Sequence, residues 1–201
     1  AQRAGVRKFV YVSVFGATRL IHLEIVKAHE DFVTALRASG MDYSVVRPTG
    51  FFSDMGAYLE MAGKGRVFLV GPGRNRINPI HGADLAPACV DAATPGEREV
   101  EVGGPEVLTH REIAGQALQA LGKPAKITSL PLWLIQGVVR LARLLSYHRG
   151  EVLAFLATAM ATDAVAPATG HHRLGEHFKT VATAEGAGGD LHASAQKRRQ
   201  S

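Results

Sequence analysis

The sequence predicts an α/β protein: part of a doubly wound parallel sheet, followed by a mainly helical C-terminal portion. Three observations carry this prediction. The first 48 residues run from an apolar β-rich segment through an amphipathic helix to a second β-rich segment, the order of a right-handed crossover between parallel strands. Short strand-like runs then alternate with helix signals as far as about residue 130. From Leu132 onward the apolar spacing is helical.

In chain order, Lys8 to Val14 (KFVYVSV) reads as a buried strand that runs into Phe15-Gly16-Ala17. Ile21, Ile25, Ala28, Phe32 and Leu36 recur at helical spacing, and Ser39-Gly40 supplies the stop. Met41 to Val46 is the second strand, ended by Arg47-Pro48, where the proline holds the arginine extended. Asp54 to Ala62 suggests a short helix, Arg66 to Val70 a strand and Gly71-Pro72-Gly73 a turn. Asp84 is the expected N-cap of a helix reaching Ala93, which would set Pro87 in the first turn, where a missing N–H is tolerated. Val100 to Val102 is a further short strand. Thr109-His110-Arg111-Glu112 forms a capping box, and Ile113, Ala117 and Leu121 mark the helix behind it, ending at Gly122.

The helix from Leu132 to Leu145 sets Leu134, Val138, Leu141 and Leu145 on one side and Trp133, Gln136, Arg140 and Arg143 on the other. Its apolar side calls for a subdomain or subunit partner rather than a membrane interface. Glu151 to Ala161 is another apolar helix. Past Val181 the composition turns to Ala, Gly, Ser and charge, too poor in apolar surface to order itself. The expected division is therefore an α/β domain over residues 1–130, a helical subdomain over 131–182 and a disordered tail over 183–201.

Composition narrows the function classes. With 46% hydrophobic residues in 201, the chain is that of a packed globule. The net charge of +5 owes part of its excess to Lys197-Arg198-Arg199, and the other basic residues are scattered, so no nucleic-acid footprint is expected. A single cysteine, Cys89, lies in an apolar helical pattern, which excludes an internal disulfide and suits a reducing compartment. No apolar run has the length of a membrane span, and the N-terminus lacks a signal core and a starting Met. A cytoplasmic protein whose sequence starts internally is the expectation.

In open parallel sheets, ligands bind beyond the carboxyl ends of the strands. Ser13 to Ala17 and Pro48 to Asp54 are the segments to read. The Ser13 hydroxyl stands either towards a ligand or against the backbone it closes. Pro48-Thr49-Gly50-Phe51-Phe52 joins a rigid turn, bare backbone and two aromatics, a combination that suits a flat ring, while the alternative is a loop whose phenylalanines pack inward. None of the 22 glycines forms G-x-G-x-x-G or G-x-x-x-x-G-K-[ST], so the usual phosphate cradle is not encoded here. His171-His172 with His177 matches neither H-x-x-x-H nor H-x-x-E-H, and no metal site is expected.

The segments KFVYVSVFGA, AHEDFVTALRASG, MDYSVVRPTGFF, INPIHGADLA and EVGGPEVLTHREIA resemble, in order, the atypical short-chain dehydrogenase/reductases of the NmrA-like, NAD(P)-binding group. The resemblance runs from about Val6 to Phe178. It implies the C-terminal part of a Rossmann-type sheet, with the first strand here as the fifth of the family and the glycine motif in a preceding portion. NADP or NAD would be the cofactor, held here through Ser13, Val14, Phe15, Gly16, Pro48, Thr49, Gly50 and Phe51. Phe51, Phe52 and His81 would face a small-molecule substrate, and Asn78, His81 and Asp84 match a segment that closes over the site.

The chain departs from the wider family at the Tyr-x-x-x-Lys pair. The lysine spacing falls on His29 with Ile25 in the tyrosine place, and Leu23 with Lys27 has no tyrosine either. Ser13 and His29 are then the catalytic candidates, His29 being either a ribose contact or proton relay or a surface histidine on the polar side of its helix. The implied activity is hydride transfer between nicotinamide and a small carbonyl, quinone or similar acceptor, or no activity in the chain as it stands. The alternative is a non-catalytic, dinucleotide-sensing regulator that binds a protein partner, and a homo-oligomer is also compatible.

Overall fold

In the computed structural model, which describes residues 1–184, three parallel strands form the main sheet. After a short 3-10 turn, Gln2–Ala4, come β1 (Lys8–Val12), β2 (Asp42–Pro48) and β5 (Glu99–Val102), ordered β1-β2-β5. Lys8 to Val12 pair with Asp42 to Val46, and Val45 to Pro48 with Glu99 to Val102. The central β2 is buried from Tyr43 to Pro48. By contrast β1 is only half-buried throughout, because no described strand pairs with its outer edge.

A four-residue helix, α1 (Ala17–Leu20), absent from the sequence reading, precedes α2 (Glu24–Ala38). The buried stripe of α2 is Val26, Val33 and Leu36: Leu36 is buried as expected, whereas Val26 and Val33 stand one position beyond the expected Ile25 and Phe32, with Ile21 and Phe32 exposed. Phe32 leans towards the open edge and rests on Tyr11 at 4.5 Å between ring centres. On the opposite face, α4 (Gly82–Asp91) covers Val46 and Val102 through Leu85 and Ala92. That helix starts before Asp84: His81 is its N-cap, the ring Nδ1 accepting the Ala83 N–H at 3.2 Å. Pro87 consequently lies inside the helix, not in its first turn, and leaves the Ala83 carbonyl without its helical donor.

A second core forms around α3 (Phe52–Gly63) and α5 (His110–Ala120), with Ile113, Ala114 and Ala117 fully buried. Two strands border it in parallel: β3 (Val67–Val70) and β7 (Ile127–Leu130), the latter without a sequence signal. The antiparallel pair β4 (Arg76–Ile77) and β6 (Leu108–Thr109) leads into the Thr109–Glu112 capping box, which forms as expected. A last helix, α8, over residues 174–184, inserts Leu174 and Phe178 into this second core. Residues 183 and 184 of the expected tail are thus helical, and the rest of it lies outside the described residues.

Helices α6 (Leu132–Leu145) and α7 (Tyr147–Met160) pack on each other and on the start of α2. Their seam uses Ile135 and Val139. The predicted apolar side of α6 faces outward instead: Leu141 is 59% and Leu145 82% exposed.

The two cores meet at Asn78. Its buried carboxamide donates to the carbonyls of Gly104 (3.0 Å) and Ala166 (2.9 Å) and accepts from the Ala166 N–H (3.1 Å). Asn78→Asp would turn the donor into an oxygen facing two carbonyls, with an expected loss of about 3 kcal/mol in urea unfolding. An unchanged midpoint would refute that role.

Candidate functional site

The carboxyl ends of β1 and β2 lie side by side, where the Phe15 N–H donates to Pro48 O at 3.1 Å and the Thr49 N–H to Val102 O at 3.1 Å. Beyond them is a small, largely enclosed cavity of about 50 Å3, floored by Val14, Phe15, Gly16 and Thr49. Leu20 from α1, Phe155 and Ala159 from α7, and Thr162 to Ala164 close it. Gly16 adopts φ 63°, the left-handed region, which lets the chain turn from the strand end into α1. Thr49 donates its hydroxyl to Asn78 O at 2.6 Å and so is fixed over the second core.

The predicted site residues therefore divide. Val14, Phe15, Gly16 and Thr49 line the cavity, whereas Ser13, Pro48, Gly50 and Phe51 do not. Phe51 packs with Ile80, Leu85 and Val102, and Phe52 is 3% exposed in the second core, so both phenylalanines point inward. His81 meets the edge of Phe52 at 5.4 Å and stacks on His172 at 4.3 Å, away from the cavity lining. The His29 Nδ1 is 2.7 Å from the Tyr11 hydroxyl, and no wall of the cavity includes it.

Ser13 belongs to a charged cluster that the sequence did not signal. The Arg47 guanidinium donates to both oxygens of Glu30, at 2.7 and 3.1 Å, and through Nε to Glu99 at 3.0 Å. Ser13 donates to Glu30 at 2.9 Å, while Arg47 Nη1 also reaches Ser13 Oγ and the Val14 carbonyl, each at 3.3 Å. Arg37 pairs with Glu99 at the rim. Glu30, the residue after His29, thus takes the place beside Ser13. The fork geometry of arginine suits two carboxylates at once, and one side chain ties β1, α2, β2 and β5 together.

Burial alone would push the Glu30 carboxyl up, but the hydrogen bonds from Arg47 and Ser13 and the Arg47 charge outweigh it and hold it below its ordinary value. Glu99 is lowered likewise: burial opposes, and Arg37 and Arg47 prevail. The Cys89 thiol is pushed up by burial.

No family model matches the chain. Among curated proteins, it is 26% identical over 182 residues to the chloroplastic divinyl chlorophyllide a 8-vinyl-reductase of Zea mays, covering 78% of this chain and 45% of that protein. With the NAD(P)H azoreductase of Xenophilus azovorans it shares 27% over 135 residues, 66% of this chain and 47% of the other. The chain thus spans about half the length of the curated relatives it matches. Among solved structures, the NADPH-dependent quinone oxidoreductase QOR2 of Escherichia coli superposes with a TM-score of 0.67 at 18% identity, over 90% of this chain and 68% of its own. The fold is Rossmann-like.

A nicotinamide dinucleotide is what such a fold implies, and the residues can be tested against it. The cavity walls are in part of a suitable kind for the nicotinamide end, apolar at Val14, Phe15 and Leu20 with a hydroxyl at Thr49, beside the charged Arg19, which covers Gly16, and Asp163. Its volume is not, since about 50 Å3 admits a few waters and no ring with its ribose. Nothing among the described residues offers a glycine-rich pyrophosphate cradle.

Glu30 has a depressed folded pKa, so its contribution to stability is complete above the unfolded value of about 4.3 and is lost as pH falls through the folded one. Glu30→Gln should cost about 3 kcal/mol at neutral pH, by leaving the buried Arg47 charge with Glu99 alone, and should flatten the acid limb of a urea-midpoint profile. An acid limb as steep as in the parent chain would contradict this.

Proposed function

We propose that the chain forms the nicotinamide and acceptor side of an NAD(P)-dependent oxidoreductase. The observation that carries this is the position of the cavity: it lies at the adjoining carboxyl ends of two parallel strands, where sheets of this class take their ligands. The named activities of the azoreductase, vinyl-reductase and quinone oxidoreductase relatives support a redox role. The acceptor is a small quinone, azo or carbonyl compound. The open outer edge of β1 is the place for the strands that carry the pyrophosphate cradle, since an unpaired edge of half-buried apolar residues is completed by another strand.

Val14, Phe15, Gly16 and Thr49 would hold the nicotinamide end, and a bound reduced nicotinamide supplies hydride. Around it, Thr49 contributes a hydroxyl lone pair while its O–H stays donated to Asn78 O. Val14, Phe15 and Leu20 exclude water, and binding requires Phe155 and Leu20 to withdraw. Neither Ser13 nor His29 is free for proton transfer as it stands, being engaged by Glu30 and Tyr11. The engagement of these two candidates favours a second reading, a dinucleotide-binding regulator without turnover.

The test is loss of reduced-nicotinamide absorbance with quinone and azo acceptors, on the parent protein and on Thr49→Trp, which fills the cavity. Turnover in the parent that falls about a hundredfold in the variant is expected. NADPH binding without turnover on any acceptor would overturn the enzyme reading and leave the regulator. Equal turnover in the two would refute the cavity.

A further inference from the structure

Asp84 is 4% exposed, and the turn around Gly170 is wrapped over its carboxylate. Gly170 has φ +79°, and any Cβ there would stand 2.1 Å from the Asp84 carboxyl carbon. Oδ2 of Asp84 accepts the backbone N–H groups of His171 (3.0 Å) and His172 (2.9 Å), which locks the carboxylate and leaves Oδ1 to point at two imidazoles. The Nδ1 of His172 is 2.7 Å from Oδ1 and that of His171 is 3.5 Å from it.

A hydrogen bond alone accounts for one of these rings. Oδ1 is satisfied by His172, and the His171 ring, 84% exposed, gains no normal hydrogen bond at 3.5 Å, yet two adjacent residues turn the same nitrogen towards one oxygen. The three ligand atoms all lie within 4.8 Å of one another. A tetrahedral zinc with bonds of ~2.0–2.1 Å needs ligand atoms about 3.3 Å apart, a spacing bracketed by the two observed Asp84 distances.

We propose that Asp84 Oδ1, His171 Nδ1 and His172 Nδ1 form a binding site for a divalent transition metal ion, zinc above all, with its remaining position open to water or an anionic ligand. The ion takes the place of the hydrogen bond between His172 Nδ1 and Asp84 Oδ1, and the neutral imidazole then carries its proton on Nε2. The two backbone N–H groups on Oδ2 orient the carboxylate as outer-shell partners do, and the His81 ring, stacked on His172, holds the second imidazole. The site is separate from the strand-end cavity, none of whose walls it shares. Sequence spacing concealed it because Asp84 lies 87 positions before His171.

Calorimetric titration of the metal-free chain with zinc chloride tests this, alongside His171→Ala, His172→Ala and a control, His148→Ala. One zinc per chain is expected, with affinity at least tenfold weaker in His171→Ala and in His172→Ala but unchanged in the control. Zinc should also raise the thermal midpoint of the parent and not that of His171→Ala. His171 is exposed and lacks a short bond, so its variant folds as the parent does and the comparison stands on binding alone. Absence of stoichiometric zinc binding would overturn the proposal, as would equal affinity in the parent and His171→Ala.

Discussion

Arg47 is the constraint on which the first half of the molecule depends. A guanidinium buried at the end of the central strand must be paired, and here Glu30 from the crossover helix and Glu99 from the neighbouring strand meet it. Removing one partner would strand a charge in a poorly solvated place, so the pairing fixes how α2 lies on the sheet. It also fixes the strand end: the same guanidinium holds the Val14 carbonyl and the Ser13 hydroxyl. The floor of the cavity starts at the next atoms along the chain.

From there the geometry of the candidate site follows. Gly16 turns the chain away from the sheet, α1 brings Leu20 over the opening, and α7 brings Phe155. Asn78 holds the Thr49 hydroxyl through its carbonyl and binds the 166 and 104 backbones through its side chain, so the site and the second core share one support. Ser13 serves this framework rather than facing a ligand. A serine that closes a strand and a serine that donates to a substrate differ only in what stands opposite, and Glu30 is what stands opposite here.

The alternation of strand and helix was legible because each element carries its own signal: the β-rich run of residues 41–46, the capping box at Thr109, the helix beginning at Leu132. What was not legible depended on distant partners. The α2 stripe is offset at Val26 and Val33, where Phe32 leans on Tyr11 at an edge that no described strand pairs with. Asp84 looked like a cap from its neighbours, but its carboxylate was committed to a turn 87 residues later, and His81 capped the helix in its stead. Likewise, Phe51 and Phe52 read as a ring-binding pair only until the cores they fill were in view.

The central claim is that a nicotinamide ligand enters between the ends of β1 and β2. Two-dimensional amide NMR of the labelled chain, titrated with NADPH, tests it most directly. Shifts gathered at Val14, Phe15, Gly16 and Thr49 are expected, with Phe155 changing alongside as the cavity opens. Shifts confined to the groove between α4 and β5, around Asp91 and Glu101, with the strand ends unmoved, would contradict it.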